Sequence, residues 1–419
     1  MGKAFSFEKE NQTAFRSVKR EGKTVKIGII TFHFPYNCGA ALQCAALQEK
    51  LTQMGHEVCV INYRPWYHQN RYSAIKNPFY LAKKMYNETK GGRRKKLLRG
   101  MEGFLRTVYS WRRYRQNRVK DQNFRLFSDK YMNETKVYRT LSQLQKDPPQ
   151  CDMYIAGSDQ LWNAAITEKR FDEAYFLRFG DEKTGRMTYS VGADFSLFEK
   201  KENELRELLQ DLDAVSMRET RWAPMVERAL GGKTSVHIDL DPTMLLSAEE
   251  YEKFSAPQTQ EEPYILTYTM PGETQKKAYQ TAKQLSAKMG IKVLDVSGQP
   301  TAANKTIPDN RICGPDSFLQ YVKNAAYVVT NSFHGTVFAV QFGKKFVVIP
   351  HATTGNRVTE LLDKLGLQER YGSDAETLVE KMENEIAYGE VFEKMECLRG
   401  ESLRFLQESI EKYGAKGER

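Results

Sequence analysis

The 419-residue chain contains no run of about 18 apolar residues, so we expect no helix that crosses a membrane. Residues 1–22 are polar and lack the apolar core of a signal peptide, which favours a cytoplasmic protein. The six cysteines include no CxxC pair, so we expect reduced thiols and no bound metal. With 40% hydrophobic and 11% aromatic residues, the chain is also unlike a disordered protein or a small disulfide scaffold. These exclusions leave a globular protein of about two to three domains.

Positive charge is concentrated in one stretch of the chain. Residues 71–130 hold 18 Lys and Arg against 4 Asp and Glu, a net charge of +14, whereas the whole chain carries +10. Aromatic residues are interleaved with the basic ones: Phe104, Tyr109, Trp111 and Tyr114. This composition favours contact with anionic lipid headgroups or a lipid diphosphate. RNA binding would use the same residues, and a solvated helical surface is the plainer alternative. Because the rest of the chain is slightly acidic, we expect one basic face and no nucleic-acid partner.

The first half of the chain alternates between strand and helix patterns. Residues 24–32 form a β-branched run, apolar residues then recur at helical spacing from Ala41 to Leu51, and residues 56–63 form a second strand-like run. This β-α-β order predicts a parallel sheet covered by helices. Residues 66–145 lack a strand signal and are predicted as a helical insertion. Later apolar runs end in polar or small residues, as strands do at a binding site: residues 151–163, 186–194, 214–219 and 235–243.

A polar stretch with two prolines, residues 247–263, is predicted as a linker. A second alternating series follows over residues 264–400, and residues 401–419 are predicted as a helical tail that packs back across the first domain. Residues 1–22 are predicted as a flexible extension, and residues 23–246 as the first domain. The expected fold class is therefore α/β, with two Rossmann-type, doubly wound domains.

The most informative segment for chemistry is YVVTNSFHGTVFAVQFGKKFVVIP, residues 327–350. A strand ends at Asn331, and His334 lies in the first turn of a short helix, where free N–H groups and the helix dipole favour anions. A His beside a bound anion suits a general acid, and the N–H groups of Ser332–Gly335 would bind the anion. The alternative is that Ser332 caps the helix and His334 binds a backbone carbonyl.

Arg218 follows a strand-like run and could bind a carboxylate or phosphate through two parallel hydrogen bonds. The alternative is a surface ion pair with Glu219. Asn37 and Gly39 open the first predicted helix, where a glycine allows a ligand to approach the backbone. A plain turn before a helix explains these two residues equally well.

Ser158 and Asp159 follow the apolar run DMYIA. Asp159 could orient a substrate hydroxyl or act as a base, or it could cap a helix that begins near Leu161. Arg357 opens another predicted helix, and Lys345 lies nearby in sequence. Both are candidates for anion contacts, although most such side chains are simply solvated.

Seven segments occur in an order that resembles the polysaccharide pyruvyl transferase family, over roughly residues 25–370 without most of the insertion. They are ITFHFPYNCGAALQCAALQEKL, DMYIAGSDQLWN, SVGADFS, VSMRE, IDLDPTMLL, TNSFHGTVFAVQFGKKFVVIP and NRVTELLDKLGLQER. The resemblance implies a GT-B-like fold, in which two Rossmann-type domains face each other across a cleft. It also implies transfer of pyruvate from phosphoenolpyruvate to a sugar as a ketal, with no nicotinamide cofactor and no nucleotide-sugar donor.

By the same resemblance, His334 is the general acid and Arg218 binds the donor. The family carries Arg-Leu-His where this chain has Ser332-Phe333-His334, so an arginine that contacts phosphoenolpyruvate is missing. Arg357 and Lys345 are the candidates to replace it. We expect the acceptor to be a lipid-linked saccharide at the inner face of a bacterial membrane, reached through the basic segment 71–130. A glycosyltransferase that uses a nucleotide sugar, and a non-catalytic binding protein of a saccharide pathway, remain as alternatives.

Overall fold

The computed structural model describes residues 23–34, 36–68, 77–110, 114–196, 201–258, 262–297, 313–350, 355–414 and 416. Three predicted segments lie wholly or partly outside this part: the extension 1–22, residues 259–261 of the linker, and residues 415 and 417–419 of the tail. The strands are β1 (Lys26–Ile30), β2 (Glu57–Val60), β3 (Met153–Ala156), β4 (Trp162–Asn163), β5 (Gly185–Thr188), β6 (Ala193–Asp194), β7 (Val215–Met217), β8 (Val236–Ile238), β9 (Tyr264–Tyr268), β10 (Lys292–Asp295), β11 (Tyr327–Thr330) and β12 (Lys345–Val348).

The helices in the described residues are α1 (Cys38–Gln53), α2 (Pro78–Glu88), α3 (Arg93–Ser110), α4 (Tyr114–Tyr131), α5 (Leu141–Lys146), α6 (Glu202–Leu209), α7 (Ala223–Leu230), α8 (Glu273–Met289), α9 (Pro315–Lys323), α10 (Phe333–Gln341), α11 (Gly355–Leu365), α12 (Ala375–Lys381) and α13 (Tyr388–Tyr413). None of them is both long enough and apolar enough to span a bilayer.

Each half of the chain is built on a four-stranded parallel sheet. The strand order is β2-β1-β3-β5 in the first domain and β10-β9-β11-β12 in the second. The strands are short and apolar, as expected for strands covered on both faces by helices. The predicted α/β class with two Rossmann-type domains is confirmed. In such sheets, side chains that follow the carboxyl ends of the strands meet at one edge.

Helix α1 packs against both domains. Its residues Leu47 and Leu51 pack with Ile27 and Ile29 of β1, whereas its small residues belong to a core that includes residues of the second domain such as Phe338. Those small residues are Ala41, Ala45 and Ala46. Because alanine side chains are short, the second domain approaches the backbone of α1 closely.

The insertion is helical, as expected, but the segment that follows α4 pairs with the first domain. Glu134 and Tyr138 form isolated parallel bridges to Val60 and Tyr63, a pairing that the sequence did not predict. The side chains of Tyr109, Trp111 and Tyr114, which we singled out in the basic segment, lie outside the described side chains.

The predicted linker is packed against the body of the protein. Tyr251 and Phe254, in the 3₁₀ turn Glu250–Phe254, are buried, and the Tyr251 hydroxyl donates a hydrogen bond to the carbonyl of Thr243 at 2.9 Å. The polar composition of this segment predicts an exposed connection, but its two aromatic residues anchor it.

The last helix, α13, crosses from the second domain to the first. Near its start the hydroxyl of Tyr388 donates to the carbonyl of Lys344, just before β12. Near its end Phe405 and Ile410 pack with Val25, just before β1, and with Ile27 of β1. The expected packing of the tail on the first domain is therefore present in the described residues.

Candidate functional site

Four polar side chains converge where strands of the two domains end. Ser158 follows β3, Arg218 follows β7, Asp241 follows β8 and His334 follows β11. All four side chains are buried. The sequence predicted three of them, and Asp241 is the one that it missed, although its segment IDLDPT was recognised as a strand followed by polar residues.

Asp241 is the centre of this cluster, and its side chain is 0% exposed. Its Oδ2 accepts hydrogen bonds from Arg218 Nη1 at 2.6 Å and from Ser158 Oγ at 2.8 Å. Its Oδ1 accepts from the N–H and the hydroxyl of Thr243, at 3.0 and 2.7 Å. Burial raises the pKa of Asp241, but the charges of His334 and Arg218, together with Thr243, lower that pKa well below the usual aspartate value. Asp241 is therefore an anion at neutral pH.

His334 lies in the first turn of α10, as predicted. Ser332 is the N-cap residue, and its hydroxyl accepts the N–H of Gly335 at 3.4 Å. The His334 Nε2 atom lies 3.6 Å from Oδ2 of Asp241 and has no hydrogen-bond partner among the described residues. The capping interpretation of Ser332 is thus correct, but it accounts only for the serine.

The first turn of α1 touches His334. A Cβ atom built on Gly39 would lie 2.1 Å from Nδ1 of the imidazole, so only glycine fits between the two helices. Asn37 caps α1, because its Oδ1 accepts the N–H of Gly39 at 3.0 Å, and it also accepts the hydroxyl of Tyr268 at 3.3 Å. The amino ends of α1 and α10 therefore converge on one point, and their dipoles favour an anion there.

Two arginines share one buried carboxylate beside this point. The Oε1 atom of Glu219 lies 3.2 Å from Nε of Arg357 and 3.6 Å from Nε of Arg218. The guanidinium carbons of Arg218 and Arg357 lie 5.1 and 5.8 Å from the ring centre of Phe333. Gln160 donates to Oε1 of Glu219 at 3.0 Å. The expected contact between Arg218 and Glu219 exists, but it is buried and not on the surface.

Buried donors without partners indicate what this cluster can bind. Within the described residues, Nε and Nη2 of Arg218, Nε2 of His334 and Oε2 of Glu219 are buried and make no hydrogen bond. Buried polar groups are nearly always hydrogen-bonded in folded proteins. A ligand with anionic oxygens would satisfy the nitrogens of Arg218 and His334.

Asp159 lies close to the arginines in a conformation that the sequence did not predict. Its φ of 74° is in the left-handed region, and its carbonyl accepts the N–H groups of Leu161 and Gly192 at 2.9 and 2.7 Å. Its charge acts on both Arg218 and Arg357. The expected alternative, a helix cap, is wrong because the short strand β4 begins at Trp162.

Lys345 is not brought together with the other candidates. It is the first residue of β12, so it lies at the edge of the sheet opposite to His334, and its ammonium pairs with Glu385. Arg357, at the start of α11, is the one of the two that lies beside Glu219 and Phe333.

The family described as polysaccharide pyruvyl transferase has a model that matches residues 37–353. No curated protein matches the chain. Among solved structures, the UDP-N-acetylglucosamine 2-epimerase from Rickettsia bellii is 10% identical over 92% of this chain and 97% of that chain, with a TM-score of 0.47. The UDP-GlcNAc 2-epimerase from Neisseria meningitidis bound to UDP-GlcNAc is 12% identical over 92% of this chain and 99% of that chain, with a TM-score of 0.45.

Proposed function

The chain belongs to the polysaccharide pyruvyl transferase family, and from this premise we propose that it transfers a pyruvyl group from phosphoenolpyruvate to two hydroxyls of a saccharide, as a ketal. The observation that supports this donor is the set of buried nitrogens of Arg218 and His334 that make no hydrogen bond, at the point where two helix amino ends meet. Phosphoenolpyruvate carries a carboxylate and a phosphate, and these groups would satisfy such donors.

Arg218 and Arg357 bind the two anionic groups of the donor in this proposal. The family's missing arginine would be replaced by Arg357, which already lies 5.8 Å from the ring centre of Phe333. In the structure, both arginines contact Glu219. When the donor binds, part of these contacts is replaced by contacts with the donor.

His334 donates a proton to the methylene carbon of the donor while a saccharide hydroxyl attacks the adjacent carbon. Asp159 accepts the proton of that hydroxyl. The tetrahedral product still carries phosphate and is stabilised by the arginines and the helix amino ends. A second hydroxyl of the same sugar then attacks the same carbon and gives its proton to the imidazole of His334, which lost its own in the first step. Phosphate leaves, and the ketal closes.

Asp241 is a positioning residue in this scheme. It fixes Arg218 through a 2.6 Å hydrogen bond and holds a negative charge 3.6 Å from Nε2 of His334. Ser158 fixes the same carboxylate, Asn37 fixes the start of α1, and Gly39 allows His334 to approach. In this proposal, Ser158, Asn37 and Gly39 therefore act on saccharide binding indirectly, by holding Asp241, helix α1 and His334 in place.

The acceptor in this proposal is a saccharide carried on a lipid, and the protein works on the cytoplasmic face of the membrane. Support comes from the basic segment 71–130, since a net charge of +14 attracts an anionic surface.

Thermal stabilisation by phosphoenolpyruvate tests the donor. A ligand that binds the native state at about a hundred times its Kd adds about 2.7 kcal/mol of stability. We expect stabilisation by phosphoenolpyruvate that is lost in Arg218→Met and kept in Lys345→Met. Stabilisation by a nucleoside diphosphate alone would contradict the proposed donor and favour glycosyl transfer. An equal shift with inorganic phosphate would show only a phosphate site.

A further inference from the structure

The helical hairpin formed by α2 and α3 exposes an apolar stripe. Five large side chains of α3 are exposed, together with Phe79 of α2, which is 71% exposed. The five are Leu97, Leu98, Met101, Leu105 and Val108. At 100° per residue they fall within an arc of about 100° on one side of the helix.

The opposite side of α3 is used for packing within the hairpin. A Cβ atom on Gly103 would lie 2.9 Å from the carbonyl oxygen of Leu81, so the two helices are in close backbone contact there. Thr107 is buried one turn later. The exposed stripe is therefore separate from the side of α3 that packs on α2, and no described part of the hairpin covers it.

The hairpin is attached to the first domain through α2. The hydroxyl of Tyr80 donates to Glu168 at 2.6 Å, and Lys84 lies 3.6 Å from the same carboxylate. Glu168 lies in the segment between β4 and β5 of that domain. This attachment through α2 leaves the stripe of α3 open.

Positive charge accompanies the stripe. The first turn of α3 contains Arg93, Arg94 and Lys95, which are exposed. Farther along, Glu102 pairs with both Arg99 and Arg106. The unneutralised charge is thus concentrated at the start of the helix, beside the apolar stripe.

We propose that the α2–α3 hairpin binds an anionic membrane surface, with the apolar stripe at the boundary between headgroups and acyl chains and the first turn of α3 on lipid phosphates. A helix with one apolar face and basic residues has the character of interfacial helices. A second copy of the chain is disfavoured as the occupant, because it would bring together two segments that each carry +14. This surface stands independently of the transfer reaction.

Vesicle binding of the full chain tests this surface. Wild-type protein is floated with vesicles of phosphatidylcholine alone and of phosphatidylcholine mixed with phosphatidylglycerol. The stripe variant is Leu98→Gln with Leu105→Gln, whose leucines are 58% and 61% exposed. The matched control is Leu126→Gln, because Leu126 of α4 is 57% exposed but lies outside the hairpin. All of these substitutions are on exposed positions, so unchanged thermal unfolding checks the fold.

We expect binding to the phosphatidylglycerol vesicles, a loss of roughly tenfold or more in the stripe variant and no loss in Leu126→Gln. Arg93→Gln with Arg94→Gln should weaken binding by about fivefold per residue on phosphatidylglycerol vesicles only. Equal binding by the stripe variant and wild type would overturn the proposal, as would an absence of vesicle binding. A dimer in sedimentation that the stripe variant dissociates would assign the stripe to a second copy instead.

Discussion

Gly39 and His334 meet at the interface of the two domains, where the Gly39 α-carbon faces the imidazole so closely that a Cβ would lie 2.1 Å from Nδ1. The two residues occupy the first turns of α1 and α10. The position of the proposed general acid is thus set by a glycine on the other domain.

Replacement of Gly39 by alanine tests this relationship. Within a helix such a change ordinarily stabilises by about 0.5–1 kcal/mol, but here the added methyl must displace His334, at a cost of roughly 1–3 kcal/mol. We expect a lower Tm and loss of turnover. Gly389→Ala is the control, since nothing lies within 4 Å of a Cβ at that position of α13. Equal activity of Gly39→Ala and wild type would contradict the close contact.

His334→Gln should remove proton transfer while keeping a planar polar side chain of similar size. We expect kcat to fall by roughly 10²–10⁴-fold, with phosphoenolpyruvate still stabilising the protein against heat. Steady-state release of phosphate measures the first, and thermal unfolding the second. Full turnover in this variant would exclude His334 as the general acid.

Asp241→Asn should destabilise the protein in a pH-dependent way. Because the pKa of Asp241 is lowered in the folded state, its carboxylate contributes stability above its unfolded pKa of about 3.9, and this is lost as pH falls toward the folded pKa. The variant leaves Arg218 only the more distant buried carboxylate of Glu219, at a cost of up to roughly 3–5 kcal/mol near neutral pH.

The measurement is Tm of wild type and Asp241→Asn from pH 7 down to about pH 3. The difference between them should be largest near neutral pH and shrink below about pH 4. A difference that stays constant over this range would mean that the charge of Asp241 does not stabilise the fold.

Arg357→Met and Lys345→Met separate the two candidates for the missing arginine. Loss of a hydrogen bond to a charged group costs about 1.5–3 kcal/mol, so Arg357→Met should raise the KM for phosphoenolpyruvate by roughly tenfold to a hundredfold. Lys345→Met should leave KM unchanged, because Lys345 begins β12 and pairs with Glu385. The reverse result would move the donor site to the other edge of the sheet.

The fold was predictable from sequence because its signals are local. Buried strands such as β1 and β11 are short apolar runs, and α1 shows helical spacing between Ala41 and Leu51. The predicted linker differs because the burial of Tyr251 and Phe254 depends on side chains distant in sequence. Composition describes the average polarity of a segment and does not report such anchors.

The site was predictable where a polar residue follows a strand and carries an obvious chemical role, as with Arg218 and His334. Asp241 follows β8 by the same rule, but an aspartate before a proline also suits an ordinary turn, so its role emerges only from its contacts. Lys345 shows the opposite error. It is near His334 in sequence, but His334 follows the carboxyl end of β11, whereas Lys345 lies at the amino end of the neighbouring parallel strand β12. The length of a strand therefore separates the two residues.

Helix α13 has a consequence for the way the protein is made. The first sheet begins at Lys26, but its core includes Phe405, Leu406 and Ile410. During synthesis, β1 therefore leaves the ribosome long before the side chains that cover it exist. An amino-terminal domain that folds as an early unit would here expose Val25 and Ile27 until α13 emerges. A nascent chain stalled before residue 405 should accordingly bind a hydrophobic-surface chaperone, and the chain should dissociate from it once α13 has left the ribosome.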